Sequence, residues 1–368
     1  MIAEIKIGNK LIGKRKPCFI IAEAGVNHNG DFDLARGLIE AAKNAGVDAV
    51  KFQTFRAENI VTPDAEQAKY QTENIGKKES QYEMLKRLEL SYSDFQKLKE
   101  YCDKIGITFL STPHSSKEDV DLVAELCPVI KVGSGDLTNL PTLRYIAGKK
   151  LPIVLSTGMA NLEEVKEAVK TILPLNKELI LLHCTTNYPT KINEVNLKAM
   201  ETMRKEFNLL VGYSDHTEGI NVSLAAVALG ACLIEKHFTL DRNLPGPDHK
   251  ASLEPEELKN MVDGIRNIEE RLNRAEKPEK IIEELKASEA LGDGVKKPNI
   301  SETEVAKVAR KSIVAGQDIK KGKEIKEDMI IIKRPGSGIK PKYLNKIIGR
   351  KAKDDIKKDE LITFEKLS

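Results

Sequence analysis

Short apolar runs alternate with amphipathic stretches through the first two thirds of this chain. Eight of these runs are rich in Val, Ile and Leu and have the length of buried parallel strands. They cover residues 19–25, 48–54, 107–112, 129–134, 152–158, 179–185, 209–215 and 233–239. Eight β–α repeats within about 250 residues predict an α/β fold, a closed (β/α)8 TIM barrel. A doubly wound open sheet is the alternative, but no GxGxxG motif follows any of the runs.

The segments between the runs predict the helices and the domain boundaries. Amphipathic stretches at residues 33–44, 93–104 and 161–172 are predicted helices, and the Ser93 to Gln96 spacing suggests a capping box. Residues 55–91 form an unusually long connection with a predicted short helix at 81–90, and connections of this length are typical of lids and binding loops. A long helix at about 256–273 closes the predicted barrel.

The pattern changes after this helix. Residues 277–298 are charged and punctuated by glycine and proline, which indicates a linker, and short alternating runs separated by turns follow. We therefore predict a barrel domain over residues 1–276, a linker over 277–302 and a small β-rich domain over 303–368.

Composition limits the classes of partner. The chain has 368 residues and a formal net charge of only +3, which argues against nucleic acid as the main partner. Its five cysteines form no CxxC pair, as expected for reduced thiols in a cytoplasmic protein. No apolar run reaches membrane length, and we expect no membrane partner.

Two histidines mark the ends of the last two predicted strands. Neighbouring strands of a barrel end side by side, so His216 and His237 are expected to face one another across its mouth. Asp215, Glu235 and Asp248 are close to them in the sequence. A pair of hydrogen-bonded loop histidines is the simpler interpretation, but the pairing favours a metal or catalytic role, with Glu235 and Asp248 orienting water around an ion.

Two lysines interrupt predicted buried strands. Lys51 and Lys131 would be costly there unless they were paired or used, and a structural ion pair between Lys51 and Glu23 is the simpler interpretation. Two lysines with several hydroxyls on one face suit a small ligand that carries phosphate and carboxylate. The residues alone thus predict a metal-assisted barrel enzyme that acts on a small anionic substrate.

Several longer motifs resemble the sialic acid synthase family. They are IAEAGVNHNG, KFQT, STPHS, KVGSGD, LSTGMA, HCTTNYPT, GYSDHTEG, IEKHFTLDR and PGPDHKASLEP. The tail RKSIVAGQDIKKG with KRPGSG is similar to the C-terminal antifreeze-like (SAF) domain of that family. The resemblance implies a condensation of phosphoenolpyruvate with an N-acetylmannosamine-type sugar, in which carbon–oxygen cleavage releases phosphate and a nine-carbon 2-keto acid is formed.

The same resemblance implies roles for individual residues. His216 and His237 would bind a divalent ion, Mn²⁺ or Mg²⁺, and Glu23 would lie beside the reacting carbons. With Glu23, the catalytic group would comprise Lys51, Lys131, Glu235 and Asp248. The phosphoenolpyruvate site would comprise Lys51, Thr112, Lys131, Ser134, Ser156 and Ser214, and the sugar site Gln53, Asp136, Tyr188, Asp248 and Arg334. Arg334 would reach the sugar in the partner subunit of a domain-swapped homodimer.

Two positions depart from the pattern common in N-acetylneuraminate synthases. Thr186 replaces an asparagine, and Asp136 replaces a glutamate. The HCTT motif is also similar to that of legionaminic acid synthases, which use a 2,4-diacetamido-6-deoxy sugar. N-acetylmannosamine is nevertheless the expected acceptor, with the diacetamido sugar as the alternative.

Three other functions fit the sequence less well. A barrel hydrolase of the amidohydrolase kind would require an HxH pair after the first strand, where only His28 is present. A metal-free condensation would leave the two histidines unexplained. An ice- or glycan-binding module would be flat and poor in charge, whereas residues 303–368 are rich in lysine.

Overall fold

A computed structural model describes residues 4–114 and 116–368 of the chain. An antiparallel hairpin, β1 (Ile5–Ile7) and β2 (Lys10–Ile12), precedes eight parallel strands. These strands are β3 (Phe19–Gly25), β4 (Ala49–Thr54), β5 (Thr108–Pro113), β6 (Ile130–Val132), β7 (Ile153–Ser156), β8 (Leu179–Cys184), β9 (Leu210–Asp215) and β10 (Leu233–His237). They are ordered β5-β4-β3-β10-β9-β8-β7-β6, which confirms the predicted barrel in a nearly closed form.

Helices follow each strand and cover the outside of the barrel. The helices up to the end of the barrel are α1 (Phe32–Ala45), α2 (Ala57–Ile60), α3 (Lys69–Ile75), α4 (Gln81–Arg87), α5 (Tyr92–Ile105), α6 (Lys117–Leu126), α7 (Leu140–Gly148), α8 (Leu162–Ile172), α9 (Ala199–Phe207), α10 (Asn221–Ala228) and α11 (Pro255–Asn273). The predicted capping box was placed two residues too late, because Ser91, with Asp94 as its partner, begins α5. No helix among the described residues is long and apolar enough to cross a membrane.

The amino-terminal hairpin was not predicted, because its strands are only three residues long. Ile5, Ile7 and Ile12 are buried in the barrel core, and Lys10 pairs with Asp48 just before β4. The hairpin therefore lies at the amino-terminal end of the barrel, opposite the end that carries the candidate chemistry.

The stretch interpreted as a linker is largely folded against the barrel. It contains α12 (Pro278–Glu284), whose Ile281 and Ile282 are buried in the barrel core, and it leads into α13 (Ile300–Ala309). Its longest run without helix or strand covers residues 292–299. Glycine and proline suggested a flexible connection, but the two apolar residues of α12 anchor the segment.

The carboxyl-terminal domain has its own small core. Its regular strands, β11 (Ser312–Ala315) and β12 (Ile330–Lys333), lie in two of the predicted alternating runs and pair antiparallel. Arg334 follows β12 and donates its backbone N–H to the Ile60 carbonyl, while Thr62 donates to the Arg334 carbonyl. These bonds dock the domain onto residues 55–91 of the same chain, which overhang the carboxyl end of the barrel.

Candidate active site

A cavity of about 150 Å³ opens at the carboxyl end of the barrel strands. Strand register builds it, because His237 lies opposite Glu23, Glu23 opposite Lys51, and Glu235 opposite Ser214. Fourteen of the fifteen predicted site residues line it: Glu23, Lys51, Gln53, Thr112, Lys131, Ser134, Ser156, Tyr188, Ser214, His216, Glu235, His237, Asp248 and Arg334.

Two carboxylates and two ammonium groups form the centre of the cavity. Lys51 Nζ lies 2.5 Å from Glu23 Oε2 and 3.6 Å from Glu235 Oε2. Lys131 Nζ lies 3.5 Å from Glu235 Oε1. All four side chains are buried, so each charge depends on its neighbours rather than on water.

The buried charges shift one another's pKa values. Burial disfavours ionisation of Glu235, but the ammonium groups of Lys131 and Lys51 outweigh it and lower its pKa. Burial likewise opposes the charge on Lys51, but Glu23 and Glu235 outweigh it and raise the Lys51 pKa. Burial lowers the pKa of Lys131, and burial also raises the pKa of Glu23 despite Lys51. A ligand that binds at this cluster would therefore contact four charged side chains whose protonation states are strongly coupled to one another.

Hydroxyl groups surround the lysines. Lys51 Nζ donates to Thr112 Oγ1 over 3.1 Å, and Lys131 Nζ donates to Ser156 Oγ over 2.7 Å. Ser214 donates to Glu235 Oε1 over 2.9 Å. Two ammonium groups with three hydroxyls give donors to a phosphate or carboxylate from several directions, and this part of the cavity can bind a small anion.

The two histidines meet as predicted. The ring centroids of His216 and His237 are 5.5 Å apart, and the Tyr188 ring lies 4.2 Å from that of His216. His216 Nδ1 donates to the Thr185 carbonyl over 2.6 Å, which leaves Nε2 with a free electron pair, as in metal-binding histidines. Burial lowers the pKa of both imidazoles, that of His216 to about 4, so both rings are neutral at physiological pH.

These residues fit a divalent ion. His237 Nδ1 is buried without a hydrogen-bond partner in the described part of the chain, and Asp248 Oδ2 lies 4.0 Å from it. Residues 4–114 and 116–368 contain no cluster of three or more His, Cys, Asp or Glu arranged as metal ligands. An ion bound here would have two imidazoles as protein ligands and its other positions open to substrate and water, as in a catalytic rather than a structural site.

A further part of the cavity carries aromatic and amide groups. The rings of Tyr188 and Tyr70 lie 4.9 Å apart, and Arg334 Nη1 donates to Gln81 Oε1 over 3.2 Å. Gln53 Nε2 donates to Glu23 Oε1 over 3.1 Å and thus links this part to the charged centre. Aromatic faces beside amide and guanidinium donors are well suited to an acetamido sugar.

Two carboxylates near the predicted site pair with lysines and do not line the cavity: Asp136, which was predicted for the sugar site, and Asp215, which lies close to His216 in the sequence. Asp136 is not among the residues that line the cavity, because its carboxylate lies 2.9 Å from the ammonium group of Lys311 in the carboxyl-terminal domain. Asp215 points to the outside of the barrel, where it pairs with Lys236 at 2.9 Å and accepts hydrogen bonds from Thr217 and Ser223. Side chains alternate along β9, so Ser214 faces the cavity and Asp215 cannot.

Several lining residues were missed by sequence reasoning. His114 lies beside Gln53, with 3.2 Å between His114 Nε2 and Gln53 Oε1, and the STPHS motif was the available signal. Tyr70 and Gln81 come from the long segment 55–91, which was predicted to overhang the site without any residue being singled out. Val305, from α13, lies in the region predicted as the β-rich domain, and no sequence signal pointed to it.

Comparison with known proteins identifies the family. A NeuB family model matches residues 38–277, and a SAF domain model matches residues 310–368. N,N'-diacetyllegionaminic acid synthase of Legionella pneumophila is 47% identical over 347 residues, which cover 93% of this chain and 92% of that protein. The enzyme of the same name from Campylobacter jejuni is 48% identical over 351 residues, which cover 94% and 99%.

Two more distant relatives also match over almost the whole chain. Human N-acetylneuraminate-9-phosphate synthase is 35% identical over 358 residues, which cover 96% of this chain and 94% of that protein. A crystal structure of the spore coat polysaccharide biosynthesis protein SpsE from Bacillus subtilis matches with a TM-score of 0.83 and 34% identity, over 100% of this chain and 99% of that one. The predicted enzyme class, a phosphoenolpyruvate-dependent transferase, is confirmed, and the chain belongs to the NeuB family of sialic-acid-type synthases, with a C-terminal SAF domain.

Proposed function

We propose that this enzyme condenses phosphoenolpyruvate with 2,4-diacetamido-2,4,6-trideoxymannose to form N,N'-diacetyllegionaminic acid and phosphate. The observation that carries the proposal is the identity of 47% and 48% to two N,N'-diacetyllegionaminic acid synthases, against 35% to the N-acetylneuraminate-9-phosphate synthase. N-acetylmannosamine was the first expectation from the motifs, and the relatives favour its alternative.

The two parts of the cavity support this pair of substrates. Lys131, Ser156 and Ser214 would bind the phosphate of phosphoenolpyruvate, while Lys51 and Thr112 would bind its carboxylate. Tyr188 and Arg334 would lie along the open-chain sugar. This arrangement brings the donor and acceptor together beside Glu23 and the histidine pair, where proximity lowers the barrier.

The chemistry follows from that placement. C3 of phosphoenolpyruvate attacks the sugar aldehyde, water adds at C2, and phosphate leaves with the bridging oxygen. One proton of the water goes to the new alkoxide, and the other goes to the departing phosphate as the C2 hydroxyl becomes the keto group. Held by His216 and His237, a divalent ion would supply Lewis-acid polarisation of the aldehyde. Glu23 and Glu235 would border the reacting carbons, where they could orient the water and accept its proton.

The assembly belongs to the same proposal. We propose a homodimer in which the arm formed by residues 296–368 is exchanged, because domain swapping reuses identical contacts. In the single chain that is described, Arg334 docks on its own barrel, so the expected trans placement differs from the cis placement found here. Residues 292–295, with Gly292 and Gly294 at positive φ, are the segment that can rearrange. Mn²⁺ or Mg²⁺ as the ion and the cytoplasm as the compartment remain predictions.

One experiment tests the proposed function. Phosphate release from phosphoenolpyruvate should depend on the added sugar, and the diacetamido sugar should give the higher kcat/KM. Mass spectrometry of the product should show the nine-carbon keto acid. Phosphate release that does not depend on the added sugar would contradict the proposal. So would the absence of release with both sugars.

A further inference from the structure

Glu302 is a buried carboxylate that joins the carboxyl-terminal arm to two loops of the barrel. Its side chain is 2% exposed, although it lies on α13, in the region whose sequence indicated a linker. Glu302 Oε1 accepts hydrogen bonds from the backbone N–H groups of Met159, over 2.7 Å, and Thr186, over 2.8 Å. Its other oxygen accepts from Asn299 N over 3.0 Å. One side chain thus fixes the loops that follow β7 and β8.

The same arm holds the loop after β7 by two further contacts. Lys296 Nζ donates to the Ala160 carbonyl over 2.7 Å, and Arg310 Nη2 donates to the Met159 carbonyl over 2.7 Å. Met159 has φ of 60°, a conformation that a side chain disfavours and that surrounding contacts must maintain. The hydrogen bonds around Met159 supply that restraint.

These loops carry the anion-binding hydroxyls. Ser156, which accepts from Lys131, lies three residues before Met159, and Gly158 N donates to Ser134 Oγ over 3.0 Å. The two loops are packed closely at Gly158, where an added Cβ would lie 2.1 Å from Thr186 Oγ1 and 2.8 Å from Ser134 Oγ. A shift of either loop would therefore displace the hydroxyls around the phosphate position.

We propose that Glu302 is a positioning residue that sets the geometry of the anion-binding part of the site, so that docking of the arm completes the phosphoenolpyruvate pocket. The inference rests on the proposed function only in naming phosphoenolpyruvate as the anion. It holds for an arm from the same chain or from a partner, since the contacts are the same.

The test uses the full-length enzyme and three variants. Glu302→Ala removes both acceptors, Glu302→Gln keeps one carbonyl oxygen for Met159 and Thr186, and Glu304→Ala changes an exposed glutamate of the same helix. We expect the KM for phosphoenolpyruvate to rise more than tenfold in Glu302→Ala, with kcat at saturation changed less than threefold. Glu302→Gln should recover part of the loss, and Glu304→Ala should match the unmodified enzyme.

Direct binding separates this inference from the proposed function. The calorimetric affinity for phosphoenolpyruvate, and for inorganic phosphate as a second probe, should fall in Glu302→Ala by the same factor as the KM rises. Failure of the unmodified enzyme to bind or turn over phosphoenolpyruvate would overturn the proposed function. Unchanged affinity in a folded Glu302→Ala variant would overturn the positioning role. If the alanine variant does not fold, unchanged affinity in Glu302→Gln, together with a lower unfolding temperature of that variant, would overturn it.

Discussion

Lys51 Nζ lies 2.5 Å from Glu23 Oε2 in the centre of the barrel, and neither side chain is exposed by more than 3%. The ion pair that was the simpler interpretation of Lys51 is therefore present. It does not exclude a role in binding, because Lys51 also faces Thr112 and lines the cavity. A lysine held charged by buried carboxylates is ready to bind an anion without reorganisation.

The first prediction separates the structural and binding roles of Lys51. Lys51→Met leaves Glu23 buried without its partner, so the free energy of unfolding should fall by about 3–5 kcal/mol and phosphoenolpyruvate binding should be lost. Lys236→Met is the matched control, because the Lys236–Asp215 pair is equally buried but faces away from the cavity. It should lose stability and keep the KM for phosphoenolpyruvate. A normal KM in Lys51→Met would remove Lys51 from the anion site.

The second prediction concerns the ion. Exhaustive chelation should abolish synthesis, and Mn²⁺ or Mg²⁺ should restore it. His237→Ala should lose several kcal/mol of transition-state stabilisation, because polarisation of the aldehyde is lost. His183→Gln is the control, since His183 bonds the Val195 carbonyl and does not line the cavity. Full activity of a metal-free preparation would exclude the ion from the reaction.

The third prediction concerns the bond that breaks. With ¹⁸O in the bridging position of phosphoenolpyruvate, the label should leave with phosphate, because water adds at C2. Mass spectrometry of phosphate and of the keto acid measures the distribution. Label found in the keto acid would indicate attack at phosphorus instead.

The strands and most of the site could be predicted from the sequence, and the reasons are local. An apolar run identifies a buried strand, and alternation places Glu235 and His237 on one face with Lys236 on the other. The same rule applied to β9 would have placed Asp215 outside the barrel. Its pairing with Lys236 was missed because closeness in sequence to His216 was weighed above the alternation.

Long-range contacts set the limits of prediction. Nothing near Asp136 in the sequence indicates that Lys311 neutralises it, since the two residues are 175 positions apart. Glu302 was overlooked for the same reason, because its partners Met159 and Thr186 belong to barrel loops. Tyr70 and Gln81 lie in a long connection whose path depends on its own apolar cluster.

The fourth prediction concerns the exchanged arm. His237→Ala in one chain and Arg334→Ala in the other should each be inactive as homodimers. In a swapped heterodimer one site receives both defects and the other receives none, so co-refolding should restore activity. The contrary outcome is a verified heterodimer that stays inactive, which would show that each Arg334 serves its own barrel, as in the single chain described here.

The identity of the acceptor is the central claim, and it can be measured directly. The kcat/KM for phosphate release from phosphoenolpyruvate should be determined with 2,4-diacetamido-2,4,6-trideoxymannose and with N-acetylmannosamine, under the same conditions and with the same ion. Discrimination by contacts to a substituent is typically worth roughly tenfold or more, so we predict at least that preference for the diacetamido sugar. An equal or higher value with N-acetylmannosamine would contradict the account.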